Sequence, residues 1–155
     1  MKFFASAIII ACMISCTSSV KTEETKKESH PIEGTWKLLS GTLIEKGDTT
    51  VTDYTKGKSF IKVINKTHFA FMGHDLNKGK DSVTAFYSSG GGMYELHDSA
   101  YTEKLEYCSD RQWEGTDFHF TISIINDTLI QQGVEKVESA GVNRINIEKY
   151  LRVKN

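Results

Sequence analysis

The chain has 155 residues, of which 39% are hydrophobic and 10% aromatic, so it can fill one core but has no room for a second domain of similar size. Its 19 Lys and Arg side chains are balanced by 20 Asp and Glu, and the two signs are interspersed along the chain. We therefore expect no strongly positive surface, which excludes nucleic acid as a predicted partner.

Residues 1–15 have the pattern of a secretory signal peptide. A weakly positive start precedes an almost uninterrupted apolar run, residues 3–14, which is too short to span a bilayer as a helix. The run ends in Met13-Ile14-Ser15-Cys16, which resembles the lipobox of bacterial lipoproteins and implies lipidation of Cys16. Cys12 is the alternative lipidation site, and an ordinary cleaved signal with incidental cysteines is the alternative interpretation.

Residues 16–31 are predicted to form a polar tether that ends at Pro31. They mix Lys, Glu, Ser and Thr with almost no apolar side chain, so they cannot bury enough surface to fold. A coil of this length spans about 20 Å. A lipid on Cys16 would anchor the protein to a membrane of the bacterial cell envelope, in the periplasm or on the outer-membrane surface. Cys108 would then be the one thiol of the folded domain, residues 32–155, which leaves no internal disulfide.

The domain shows consecutive β-strand patterns. Short runs rich in Thr, Val, Ile, Phe and Tyr alternate with turn residues, and no segment has helical apolar spacing. The predicted strands are Thr35 to Ile44, Thr49 to Tyr54, Ser59 to Ile64, Thr67 to Gly73, Ser82 to Ser88, Gly92 to Leu96, Tyr101 to Cys108, Asp117 to Ile125, Thr128 to Gln132 and Ile145 to Val153. Because closure removes exposed edges, we predict an all-β fold, a single antiparallel up-and-down barrel of about eight to ten strands.

Three predicted two-residue hairpin turns set the strand registers: Asn65-Lys66, Asp98-Ser99 and Asn126-Asp127. The second turn places Tyr94 opposite Glu103, on an apolar face completed by Leu96, Tyr101, Leu105 and Tyr107. The third places Ile122 opposite Gln131, on a face continued by Phe118 and Phe120. At the first turn one face carries Phe60, Lys62, Ile64, Phe69 and Phe71 and the other carries Ile61, Val63, His68, Ala70 and Met72, and the pattern does not decide which faces inward.

The two ends of the domain carry a family resemblance. Glu33-Gly34-Thr35-Trp36-Lys37-Leu38 resembles the Gly-x-Trp opening strand of the lipocalin and fatty-acid-binding (calycin) superfamily, and Lys149-Tyr150-Leu151-Arg152-Val153 resembles its closing strand. The resemblance implies a structural closure in which Gly34 precedes Trp36, Trp36 plugs one end of the barrel, and Arg152 stacks on the indole.

Further segments make the domain similar to lipocalin-like envelope lipoproteins of Gram-negative bacteria: Thr67 to Phe71, Gly90 to Tyr94 and Tyr101 to Tyr107. The sequence also departs from better-known members. It shows neither the helix pair of fatty-acid-binding proteins nor the helix before the last strand of secreted lipocalins, and it lacks the Arg-x-Tyr carboxylate clamp, since Tyr150 precedes Arg152.

The candidate ligand-binding residues are Tyr94, Tyr101, Glu103, Tyr107, Phe118, Phe120 and Gln131. A carboxylate on an apolar face is costly unless it has a partner. Glu103 is therefore either a polar anchor for a ligand or an internally satisfied residue that accepts a hydrogen bond from a tyrosine or from Arg152. We expect a lipoprotein that is not an enzyme and that carries a small apolar or amphipathic molecule. The alternatives are a structural or interaction protein with a filled barrel and, third, a calycin-type enzyme.

No catalytic residue, metal site or cofactor is predicted. The histidines at 68, 74, 97 and 119 form no close ligand array, and no serine lies in a Gly-x-Ser-x-Gly context. The run Ser88-Ser89-Gly90-Gly91-Gly92 is interpreted as a loop that enters a strand. The sequence does not indicate an oligomeric state.

Overall fold

The structure is a computed structural model, and it describes residues 31–154. The predicted signal peptide, Cys12, Cys16 and the tether up to residue 30 lie outside the described residues. Between residues 31 and 154, no helix has the length and hydrophobicity that a bilayer crossing would require.

Nine antiparallel strands follow one another along the described part of the chain. They are β1 (Gly34–Glu45), β2 (Asp48–Asp53), β3 (Lys58–Ile64), β4 (His68–Asp75), β5 (Tyr87–His97), β6 (Ala100–Cys108), β7 (Thr116–Ile125), β8 (Thr128–Val137) and β9 (Val142–Arg152). Two short 3-10 turns, Arg111–Trp113 and Glu138–Ala140, connect β6 to β7 and β8 to β9.

Eight of these strands form a closed barrel. Each strand from β3 to β9 pairs with the next, and β1 joins the two ends by pairing with both β3 and β9. The extra strand, β2, pairs with the second half of β1, from Ser40 to Glu45. The predicted all-β, antiparallel up-and-down barrel is confirmed.

Two of the three predicted hairpins have the expected turns. Asp98 and Asn126 adopt positive φ angles of 54° and 56°, as two-residue turns require. They place Tyr94 opposite Glu103, as predicted, and Ile122 opposite Gln131. The turn after β3 is longer, with three residues between the strands, because the Asn65 side-chain oxygen accepts hydrogen bonds from the backbone amides of Thr67 and His68.

One predicted strand and one predicted loop are wrong. Residues 76–86 contain no strand, although Ser82 to Ser88 was predicted to form one. β5 begins at Tyr87 and runs through the three glycines, so Gly90 to Gly92 lie inside a strand rather than in a loop before it. Close contact between neighbouring strands explains these glycines, since a Cβ atom on Gly92 would overlap the backbone carbonyl of Lys104 on β6.

The interior face of β3 is the one that carries Phe60, Lys62 and Ile64, which are all buried. The residue pattern around the turn does not indicate which face of the hairpin points inward; closure of the barrel determines it. The core is concentrated toward the end of the barrel where the chain enters, with these residues fully buried: Ile32, Trp36, Leu38, Phe69, Tyr101, Leu129 and Tyr150.

Candidate functional site

One end of the barrel is closed by the residues that carry the family resemblance. Trp36 is fully buried, and its indole N–H donates to the Ile32 carbonyl at 2.8 Å. The Arg152 guanidinium carbon lies 4.0 Å from the indole centroid, and its two terminal nitrogens donate to the carbonyls of Glu33 and Pro31. The structure therefore brings an indole and a guanidinium together where β1 meets β9.

Gly34 makes this arrangement sterically feasible. Its φ angle is 138°, a conformation that L side chains rarely adopt, and a Cβ atom at this position would lie 2.8 Å from the Arg152 Nη1. The backbone of β1 can thus pass directly beneath the guanidinium.

The opposite end of the barrel opens into a cavity of about 320 Å³. Tyr54, Phe86, Asp110 and Trp113 surround the mouth, and they come from connections between strands or lie next to them. Aromatic and aliphatic side chains form much of the wall: Phe60, Phe71, Leu105, Phe118 and Phe120. The volume lies near the lower end of the range of about 300–1,000 Å³ found for small-molecule sites.

A buried ion pair forms the floor of the cavity. The Lys62 ammonium donates to Glu103 Oε1 at 2.6 Å and to Gln131 Oε1 at 3.0 Å. It also lies 5.6 Å and 5.5 Å from the ring centroids of Phe69 and Tyr150. The side chains of Lys62 and Glu103 are only 3% and 8% exposed, so both charges depend on protein partners rather than on water.

Burial sets the protonation equilibria around this floor. Desolvation raises the pKa of Glu103, while the Lys62 ammonium opposes that shift. Desolvation also raises the pKa of Tyr101, with the Glu103 charge adding to the effect, and raises the pKa of Tyr150 well above its usual value, with Glu148 adding to it. Both phenols therefore remain neutral at physiological pH.

A second polar cluster lies nearer the mouth, on the paired strands β8 and β9. Glu135 accepts hydrogen bonds from Arg144 Nε and from Asn146 Nδ2, both at 2.7 Å. The Arg144 guanidinium carbon is 5.4 Å from the centroid of the Trp113 ring. Desolvation raises the pKa of Glu135, and Arg144 opposes this shift. Further along β9, Glu148 accepts a hydrogen bond of 2.8 Å from the Tyr150 hydroxyl.

Four of the seven candidate ligand-binding residues line the cavity: Glu103, Phe118, Phe120 and Gln131. Two others lie outside its lining. The Tyr94 hydroxyl donates to the Asn65 carbonyl at 2.8 Å, and its ring packs 5.4 Å from that of Tyr101, which is fully buried.

The predicted placement of Tyr107 on the same face as Glu103 and Leu105 is wrong. A β-bulge shifts the register of β6, so that Gly92 pairs with Leu105 but the preceding Gly91 pairs with Tyr107. The extra residue, Glu106, reverses the alternation of faces, as bulges do. The Tyr107 side chain consequently lies on the outer surface and is 68% exposed.

Sequence reasoning missed the residues that give the cavity much of its charge and hydrogen bonding: Lys62, Glu135, Arg144, Asn146 and Glu148. Lys62 carried a usable signal, since it alternates with the apolar Phe60 and Ile64 as Glu103 alternates with Tyr101 and Leu105. Glu135 and Arg144 carried no such signal. The predicted strands end at Gln132 and begin again at Ile145, so both residues lie outside any predicted strand.

Among residues 31–154, no group of three or more His, Cys, Asp or Glu side chains is arranged to hold a metal ion. A scan against protein-family models and a search of curated proteins both find no match for this chain. Fold and site together define a closed eight-stranded antiparallel barrel with a cavity at one end, which is consistent with a lipocalin-like barrel.

Proposed function

We propose that this protein is a calycin-type, lipocalin-like carrier that holds one small amphipathic molecule in the open half of its barrel. The observation that carries this proposal is the cavity of about 320 Å³, with aromatic walls above a charged, hydrogen-bonded floor. Apolar walls supply the free energy of burial, and a few fixed polar groups orient the ligand. The volume is roughly twice that of an apolar cavity of about 150 Å³ that binds benzene, which suits a ring with a short polar arm.

The same cavity favours a carrier over the alternative, a structural or interaction protein with a filled barrel. A binding role also suits the chemistry of the carboxylates better than catalysis. Glu103 is held by Lys62, and Glu135 is held by Arg144 and Asn146, so these groups are engaged as fixed partners rather than poised as a free acid or base.

We further propose that a lipid on Cys16 anchors this carrier in the bacterial envelope. The lipobox resemblance and the polar composition of residues 16–31 support this proposal. The chain enters the barrel through Pro31 and Ile32 at the closed end, so an anchored domain would carry its cavity mouth at the end away from the tether. Palmitate labelling and membrane fractionation test the anchor. Cys16→Ala should abolish palmitate incorporation and membrane association, whereas Cys12→Ala should retain both.

Binding of the neutral fluorophore N-phenyl-1-naphthylamine tests the carrier function. Neighbouring serines on β5 offer a matched pair of variants, because Ser88 lines the cavity and Ser89 points to the other side of the strand. Ser88→Phe should fill the mouth and weaken binding of the probe at least tenfold, while Ser89→Phe should leave it unchanged. Saturable binding that both variants retain equally would show that the probe does not occupy the cavity, and would count against the proposal.

A further inference from the structure

The cavity carries more negative than positive charge. Its lining includes four carboxylates and two cationic side chains: Glu103, Asp110, Glu135 and Glu148 against Lys62 and Arg144. Lys58 is a further cation at the rim, where its ammonium lies 5.0 Å from the Phe86 ring centroid. The carboxylates still outnumber the cations when Lys58 is included.

Both cationic side chains of the lining form ion pairs with carboxylates of the same lining. Lys62 is 2.6 Å from Glu103, and Arg144 is 2.7 Å from Glu135. Each of these carboxylates is almost completely buried, so its pairing cannot be given up without leaving a desolvated charge. Neither cation is therefore available to a further anion.

Among the described residues, Glu148 and Asp110 are the lining carboxylates that lack such a pairing. Asp110 lies at the mouth and accepts a hydrogen bond from the Gln112 backbone amide, whereas Glu148 lies on the wall formed by β9. Within the part of the chain that the structure describes, no Lys, Arg or His nitrogen lies within 4.0 Å of its oxygens. Its hydrogen bond comes from the neutral Tyr150 hydroxyl, whereas an ionised carboxylate has about four acceptor positions. Unused acceptor capacity consequently remains on a carboxylate of the cavity wall.

Other carboxylates lie close enough to Glu148 to repel its charge, and a bound cation would reduce this repulsion. Its charge contributes to the raised pKa values of Glu103, Glu135 and Tyr150, which shows that one electrostatic neighbourhood includes both polar clusters. Lys62 and Arg144 offset two of the three carboxylates in this neighbourhood, so an anionic ligand would still meet a net negative charge.

The aromatic wall suits an apolar body attached to the charged group. Phe60 and Phe71 stack at 5.7 Å with their planes 12° apart, and Phe118 and Phe120 stack at 6.2 Å. Aromatic ring faces attract cations as well as apolar groups, so this wall favours a ligand that is both cationic and apolar.

From these observations we infer that the site selects a cation: a primary ammonium on an aromatic or similarly flat apolar body, with its nitrogen paired to Glu148 and its body against the phenylalanine wall. This inference rests on the proposed carrier function and narrows it to a class of ligand. It does not depend on lipidation or on the identity of the natural ligand.

Three indoles that share a two-carbon arm test the inference, namely tryptamine with an ammonium, tryptophol with a hydroxyl and indole-3-propionate with a carboxylate. Isothermal titration calorimetry should give a Kd for tryptamine at least tenfold lower than for tryptophol, and the weakest binding for indole-3-propionate. Glu148→Gln should abolish the preference for tryptamine and leave tryptophol unchanged. Glu106→Gln removes the same charge from the exposed outer surface and should change neither Kd.

Thermal unfolding of each variant verifies that Glu148→Gln is folded, and we expect no loss of stability because the substitution removes repulsion inside the barrel. Equal affinity for tryptamine and tryptophol, or a preference for tryptamine that survives Glu148→Gln, would overturn the inference but leave the carrier function in place. Absence of binding for all three indoles and for the naphthylamine probe would overturn both.

Discussion

Replacing Lys62 with Met removes the cation beneath the cavity and leaves the Glu103 carboxylate buried without its charge partner. The two charged groups are 2.6 Å apart, and their side chains are 3% and 8% exposed. At an effective dielectric constant of about 20, Coulomb's law gives an attraction of about 6 kcal/mol at this distance, much of which offsets the desolvation of the two ions. Because the variant keeps the desolvation cost of Glu103 and loses the attraction to Lys62, we expect the free energy of unfolding to fall by about 3–5 kcal/mol at neutral pH.

Urea unfolding followed by tryptophan fluorescence measures this loss, since Trp36 is fully buried at the closed end. With a denaturant slope of about 2 kcal/mol per molar urea, the midpoint should fall by about 2 M. Adding Glu103→Gln to Lys62→Met removes the stranded charge and should recover about 1–3 kcal/mol. Lowering the pH should also narrow the gap between Lys62→Met and the wild type, because it protonates Glu103. A loss below about 1 kcal/mol, or a double variant no more stable than the single one, would show that Lys62 does not stabilise a charged Glu103 inside the barrel.

Three further predictions concern the closed end and the buried acids. Arg152→Ala should lower the free energy of unfolding by about 2–4 kcal/mol through lost stacking and hydrogen bonds, and Arg152→Lys should recover less than half of it; wild-type stability in the Lys variant would contradict this. Gly34→Ala should cost about 1–3 kcal/mol in thermal unfolding without changing probe binding, and a neutral effect would contradict the steric argument. Burial raises the pKa of folded Glu103 above 4.5, so the folded state keeps a proton that the unfolded state releases, and stability should fall as the pH rises from about 4.5 through the raised pKa. Urea unfolding at several pH values in this interval measures how stability depends on pH. That dependence should be weaker for Glu103→Gln than for the wild type, and unchanged for Glu106→Gln.

The fold was largely predictable because its signals are local. Alternating apolar residues define a strand wherever it lies in the chain, and Asp98 and Asn126 specify tight turns because their short side chains tolerate positive φ. Those turns alone placed Tyr94 opposite Glu103. The Gly-x-Trp and terminal Arg patterns then indicated which strands meet at the seam.

The site was predictable only in part because its contacts are distant in sequence. Lys62 and Glu103 are 41 residues apart, and Lys62 and Gln131 are 69 apart, so they meet only through barrel closure. The bulge at Glu106 was a second obstacle. A single inserted residue reverses the faces of a strand, and nothing in the local pattern marks where it occurs.

Native mass spectrometry of the protein purified from bacterial envelopes under gentle conditions tests directly whether the barrel carries a small molecule. We predict an added mass of a single small molecule on the wild-type protein and on Ser89→Phe, and its loss in Ser88→Phe, where the new ring occupies the cavity mouth. The unliganded mass for the wild type and every variant, or an adduct that Ser88→Phe retains in full, would show that the cavity does not carry a ligand.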